Sequence, residues 1–233
     1  MTQMTFARAI NSGLRKSLEN DPKVILMGED IGTLGGVFRV TDGLQKDFGT
    51  HRVVDTPLAE SAIMGTAVGL AYRGYRPVVE IQFDGFIYPA FDQIVSQVAK
   101  LHYRTQGAVK MPITIRVPFG GGIGSPEHHS ESPEAYFTHT SGLRVVSVSN
   151  PQDAHTVIQQ AIMSAAPVLY FEPTRRDLDK GEVDEGIDPR NALPTDTARL
   201  VPGGTDVTPV AARPHGAAAS AGTAERPRRR HHH

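Results

Sequence analysis

The sequence predicts a parallel α/β sheet covered by helices on both faces, and two observations carry that expectation. Short apolar runs, residues 24–27 and 168–171 among them, lack polar alternation, as strands buried on both faces do. Between such runs apolar residues recur at helical spacing, so strands and helices alternate. Thr5 can cap a first helix, in which Phe6, Ile10, Leu14 and Leu18 form one stripe before Asp21-Pro22 ends it. Residues 24–27 read as a buried strand and residues 28–36 as a glycine-rich loop. A second helix starts near Glu60, with Ile63, Ala67, Leu70 and Ala71 on one face and Gly74 closing it. Residues 77–82 form another strand. Pro89 opens a third helix, where a proline costs least, and Phe91, Ile94, Val95, Val98 and Leu101 give it a core face. A strand of β-branched residues at 112–117 leads into a long flexible loop, residues 119–126. Strands at 143–148 and 168–171 flank a helix that turns Ala154, Val157, Ile158, Ala161 and Ile162 inward.

The pattern stops after Pro173. Residues 1–176 therefore read as one domain. Residues 177–208 are largely charged residues, prolines and turn formers, and read as a linker; residues 209–233, rich in Ala, Arg, Pro and His, cannot bury a core and are expected to be disordered.

A formal net charge of −1 gives no global pull toward nucleic acid or an anionic membrane. No apolar run is long enough to span a bilayer, and residues 1–5 lack the pattern of a secretion signal. Without cysteine there is no disulfide and no thiol catalysis, which fits a cytoplasmic protein.

Four constellations could carry chemistry. Glu60 stands at a helix start after Asp55-Thr56-Pro57-Leu58-Ala59, where a carboxylate also simply complements the helix dipole. Gly28-Glu29-Asp30 follows a buried strand, the place where open α/β sheets bind ligands; the plain alternative is a solvated loop. Gln82 and Phe86 lie between a strand and a helix, and alone read as a lid on the core. His128 and His129 follow the glycine-rich loop, where a histidine suits acid–base work better than on a helix; two adjacent histidines rarely converge on one metal. His102 and His155 read as packing or surface residues.

In this order the motifs GEDIGTLGGVFRVTDGL (28–44), DTPLAE (55–60), EIQFDGFIYPAFDQI (80–94) and EHHSESPEAYF (127–137) resemble the beta subunits of thiamine-diphosphate-dependent 2-oxo-acid dehydrogenases, over roughly three-quarters of the chain. The resemblance implies a pyrimidine-binding domain of the transketolase type. It also implies that Glu60 hydrogen-bonds the cofactor's aminopyrimidine and favours the imino tautomer that takes the proton from the thiazolium carbon. Leu58, Gln82 and Phe86 match positions lining that ring, and many relatives have tyrosine where Phe86 stands. Glu29 matches an acid of a polar tunnel between active sites. His129 matches a loop histidine that serves acyl transfer to lipoamide, with His128 its neighbour.

No Gly-Asp-Gly motif occurs, so the magnesium-diphosphate half of the site is expected on an alpha subunit. The implied partners are that alpha subunit, a second beta subunit and a lipoyl-bearing acyltransferase, with no nucleic acid and no membrane. Residues 203–208 look like the first strand of the family's second domain, after which the pattern vanishes, so a truncated subunit is expected. Relatives that hold potassium do so partly near Ile113 and Thr114, and residues 164–167 lack the polar groups to complete that site; metal binding stays open. Branched-chain 2-oxo acids are the first substrate expectation, from the loop at 120–129, and pyruvate the second. The rivals are another thiamine-diphosphate enzyme, such as a transketolase, and a truncated subunit that only folds and pairs.

Overall fold

A computed structural model describes residues 1–125, 127–199 and 210–211. The strand expected at 203–208 lies outside the described residues, as does the expected tail apart from Val210 and Ala211. Strand β1 (Thr2–Thr5) leads into α1 (Phe6–Asn20), whose first turn is capped by Thr5, with Oγ1 accepting from Arg8 N at 3.3 Å. Then follow β2 (Val24–Gly28), α2 (Leu44–Phe48), β3 (Val53–Asp55), α3 (Glu60–Tyr72) and β4 (Arg76–Glu80).

The third expected helix begins earlier than Pro89. A 3-10 turn, Asp84–Phe86, runs into α4 (Ile87–Asp92), with Pro89 inside the first turn; there its missing N–H would have had no intrahelical partner anyway. The helix widens into a π turn, Gln93–Val98, where Ala99 N reaches back five residues to Ile94 O at 2.9 Å, and ends as α5 (Leu101–Arg104). The rest of the chain gives β5 (Thr114–Phe119), α6 (Glu134–Thr138), β6 (Arg144–Ser147), α7 (Pro151–Met163), β7 (Val168–Pro173) and β8 (Lys180–Val183).

Six strands form one parallel sheet in the order β3-β2-β4-β5-β7-β6, as the apolar runs predict. One face sends Val24, Leu26, Val78 and Tyr170 into a core with Phe6, Ile10 and Leu14 of α1 and Ala154 and Ile158 of α7. The other sends Val79, Ile113, Ile115, Val117 and Leu169 against Ile63 and Met64 of α3, Ile94 and Phe137. The helices α1 and α7 approach closely because residue 13 is glycine: a Cβ there would sit 2.5 Å from Ile158 Cγ2. No helix among the described residues is long and apolar enough to cross a membrane.

The sheet centre holds a buried charge cluster. Arg116, 2% exposed, donates to Glu172 through Nε at 2.6 Å and Nη2 at 2.8 Å, and to Glu80 through Nη1 at 2.6 Å. Burial disfavours the charged guanidinium, but the two carboxylates outweigh it and hold the proton above the ordinary arginine range.

Within the stretch expected to be a linker, β8 pairs antiparallel with β1, Thr2 opposite Val183 and Thr5 opposite Lys180. Ala7 N donates to Asp177 O at 3.3 Å, and Lys16 and Ser12 of α1 bond Glu185. These polar residues fold because α1 and β1 supply their partners, which their own composition does not reveal.

Burial, then the neighbouring charge of Glu172, pushes the Asp177 carboxyl up to about 7, with Arg116 offsetting part of it. The folded chain thus keeps a proton that the unfolded chain, titrating near about 3.9, has already released. Stability from this group is therefore lost as pH rises through the window from the unfolded value to about 7. Asp177→Asn should remove this dependence. Thermal unfolding of both proteins should show the parent falling behind the variant as pH rises from about 4 to about 8; a gap that does not change with pH would reject the buried acid.

Candidate functional site

Every candidate residue follows the carboxyl end of a parallel strand, so topology gathers them along one edge of the sheet. Glu29 is the residue after β2; Leu58 lies between β3 and α3; Glu60 opens α3; Gln82 and Phe86 lie between β4 and α4; His129 is on the loop after β5.

Glu29 and Glu60 come together. Glu29 is 3% exposed, and its carboxyl is raised by burial first and by the charge of Glu60 second. Neither of its oxygens closes a hydrogen bond, although the Ala59 N–H lies near enough to favour the ionised form. Glu60 itself is half-buried. No side chain caps α3, because Ala59 occupies the cap position. A buried carboxylate beside a second one is costly in a purely structural setting, which makes this pair a candidate for meeting an incoming polar group.

Gln82 joins this group through Asp30, whose Oδ2 accepts from Gln82 Nε2 at 3.0 Å. Asp30 holds a left-handed backbone, φ 57°. Next to it Gly32 N donates to Asp55 Oδ1 at 2.6 Å, and a Cβ on Gly32 would meet Gln45 and Asp55 side chains within 2.3 Å. A side chain at position 32 would have to push these two side-chain tips aside.

The second group is aromatic. His129, also left-handed at φ 70°, packs its ring 4.1 Å from Phe83 and 4.9 Å from Phe86, centroid to centroid. Two such backbone outliers fall on candidate segments, which is where strained conformations concentrate. The histidine loop is pinned at Glu131. Glu131 N donates to Asp84 Oδ2 at 2.6 Å, and Tyr88 OH donates to the Glu131 carboxylate at 2.7 Å, which pushes the Tyr88 phenol up to about 12. His128 points outward, 64% exposed, and Leu58 stands apart, 79% exposed.

His155 is fully buried, with its proton affinity lowered by burial, and His102 bonds Val109 O at 2.8 Å on the surface. Both lie away from the candidate groups. Sequence reasoning passed over Asp30, Phe83 and Asp84. The available signal was Asp84 as a lone acid between Phe83 and Phe86. A surface hollow of about 490 Å³ opens elsewhere, lined by Arg144, Gln160, Ser164 and Arg190, and no candidate residue touches it.

Comparison with known proteins bears on the family and the fold. The family described as transketolase, pyrimidine binding domain, matches residues 2–178. A pyruvate dehydrogenase E1 component subunit beta from Leifsonia xyli subsp. xyli is 59% identical over 208 residues, covering 89% of this chain and 61% of that protein. A 3-methyl-2-oxobutanoate dehydrogenase subunit beta from Mycobacterium tuberculosis is 53% identical over 207 residues, covering 89% of this chain and 59% of its own length. The chain thus spans about three-fifths of these curated relatives. Among solved structures, a split gene transketolase, inactive beta4 tetramer, superposes with a TM-score of 0.61 at 18% identity, over 82% of this chain and 56% of that one, a likeness of fold.

The coupling between the two acids is testable. Removing the Glu60 charge with Glu60→Gln should lower the Glu29 midpoint, since that charge raises it. Carbon-detected NMR titration of the side-chain carboxyls measures this, and an unmoved Glu29 would mean the two groups do not share a field.

Proposed function

The chain belongs to the transketolase pyrimidine-binding domain family, and from that premise we propose that it is the beta subunit of a cytoplasmic 2-oxo-acid dehydrogenase, supplying the pyrimidine half of a thiamine diphosphate site. The observation that carries the reading is the buried, unpartnered carboxylate of Glu29 beside Glu60 at the start of α3, with the Phe86–His129 group on the same sheet edge. Those residues fit an aminopyrimidine: the Glu60 carboxyl for its ring nitrogen, the Phe86 ring for its face and an exposed Leu58 for its edge, with Glu29 as an acid of the polar tunnel behind it. The diphosphate and its Mg²⁺ belong to an alpha subunit, since no Gly-Asp-Gly motif occurs here.

When bound, thiamine diphosphate supplies a carbon nucleophile for the 2-oxo group and accepts the electron pair left as carbon dioxide departs. Glu60 holds the proton at the pyrimidine nitrogen, and Glu29 stands behind it as an acid of the polar tunnel between active sites. Gln82, fixed by Asp30, orients the ring's polar edge. His129 moves a proton as the acyl group passes to lipoamide on an acyltransferase partner. A second beta subunit completes the assembly. The substrate is a branched-chain 2-oxo acid on the character of the loop at 120–129; pyruvate is the second reading, favoured by the 59% identity to a pyruvate dehydrogenase subunit.

Co-expression with an alpha subunit and assay of each 2-oxo acid tests the reading. An assembly that forms but turns over none of them would leave a subunit that only folds and pairs. In an active assembly, Glu60→Gln should cut decarboxylation roughly 10²–10⁴-fold, as loss of a general acid–base group does, or about 3–5 kcal/mol of barrier. A rate within a few-fold of the parent would refute the Glu60 role. His129→Ala should damage the overall reaction with lipoamide far more than decarboxylation read with an artificial electron acceptor, because the two assays differ only after decarboxylation. Equal losses in both would assign His129 to ordering its loop.

A further inference from the structure

We propose that Asp84 is the positioning residue for His129, facing its Nδ1 so that Nε2 is the ring atom that exchanges protons with the acyl acceptor. This rests on the reading of His129 as the group serving acyl transfer.

Asp84 is 2% exposed, and both its oxygens are fixed. Oδ1 accepts from Gly85 N at 2.9 Å and lies 3.9 Å from His129 Nδ1; Oδ2 accepts from Glu131 N at 2.6 Å. That Nδ1 is itself buried and has no hydrogen-bond partner among the described residues, an arrangement rare enough to need a reason. The separation is too long for a hydrogen bond but within the range where opposite charges act. Catalytic hydrogen bonds are commonly long in an unloaded site and tighten when it is filled.

The rings of Phe83 and Phe86 leave His129 little freedom to turn, and its left-handed backbone sets the direction from which the ring enters. The other charged groups nearby are accounted for. The Glu131 carboxylate accepts from Tyr88, and His128 and Glu127 are exposed to water, with His128 Nε2 3.9 Å from Glu127 Oε1. Asp84 is a buried acid that faces the ring, with Oδ1 nearest Nδ1. Burial raises its carboxyl, the backbone N–H donors of Glu131 and Gly85 oppose this, and so does the charge of His129 itself.

The proton balance is simple. The lipoyl acceptor arrives as a disulfide and is the two-electron oxidant: its S–S bond breaks as one sulfur takes the acyl carbon, and the other sulfur takes one proton from Nε2 of the imidazolium, while Nδ1 keeps its own proton toward Asp84. Nε2 regains a proton from the substrate hydroxyl as the thioester carbonyl forms, and the carboxylate matches the imidazolium charge each time it appears. A histidine free in water favours the opposite tautomer, with its proton on Nε2, so the assignment makes a distinctive demand on the resting protein.

The test reads that tautomer by long-range ¹H–¹⁵N correlation in the full, uniformly labelled chain, with the His129 signals identified through His129→Gln. A neutral His129 ring protonated on Nδ1 supports the proposal, and one protonated on Nε2 overturns it, whatever the activity. In the assembled enzyme, Asp84→Asn should slow the lipoamide reaction at least about ten-fold more than the artificial-acceptor reaction, with Asp84→Glu recovering part of the loss. Equal losses in the two assays would overturn the positioning role. An Nδ1-protonated ring together with no selective loss in His129→Ala would uphold the Asp84–His129 pair and sink the catalytic reading of His129 instead.

Discussion

One buried arginine organises the molecule. Arg116 stands in a strand that is buried at every position, and it is stable there only because Glu80 and Glu172 reach it from the strands on either side. Those bonds fix β4, β5 and β7 against one another at their carboxyl ends. Beyond Glu80 the chain runs into Gln82, Asp84 and Phe86; beyond β5 it runs into the loop that carries His129. Replacing such a cluster with apolar residues can be neutral, but removing one partner strands a buried charge and costs about 3–5 kcal/mol. The Glu172 charge also adds to burial, the larger cause, in pushing the Asp177 carboxyl up to about 7, with Arg116 offsetting part of it.

Much of the fold was legible because it follows from local patterns. The stripe of α1, the blank apolar runs of β2 and β7, and the inward residues of α7 all appear where the sequence puts them. What escaped depends on distant partners. Three-residue β3 is too short to show a pattern, and β1 and β8 are strands only by virtue of each other. The start of α4 was misread because Pro89 is tolerated anywhere in a first turn, not only at its opening.

The site follows the same division. Motif order drew attention to Glu29, Glu60, Gln82, Phe86 and His129, and the parallel topology explains why residues so far apart share an edge. The supporting residues were not legible. Asp30 and Asp84 carry no pattern of their own, and their roles lie in a bond to Gln82 and in the burial beside His129. Phe83 looked like one aromatic among several until its ring was seen stacked on the histidine. The candidate groups leave a trace in motif order, whereas the groups that hold them leave one only in distances.

The ribbon of β1 and β8 carries a consequence for how the chain assembles. Its two strands lie about as far apart in sequence as two segments of the domain can, with Thr2 opposite Val183. Closing a loop of that span in an unstructured chain costs on the order of 5 kcal/mol from chain entropy alone, and a two-stranded ribbon of four residues returns little. The pairing can therefore form only after the parallel sheet has brought α1 beside α7 and delivered the two ends to the same place. It is expected to be the last piece to close and the first to open, with native-state amide exchange beginning at its seam while the six-stranded sheet stays shut.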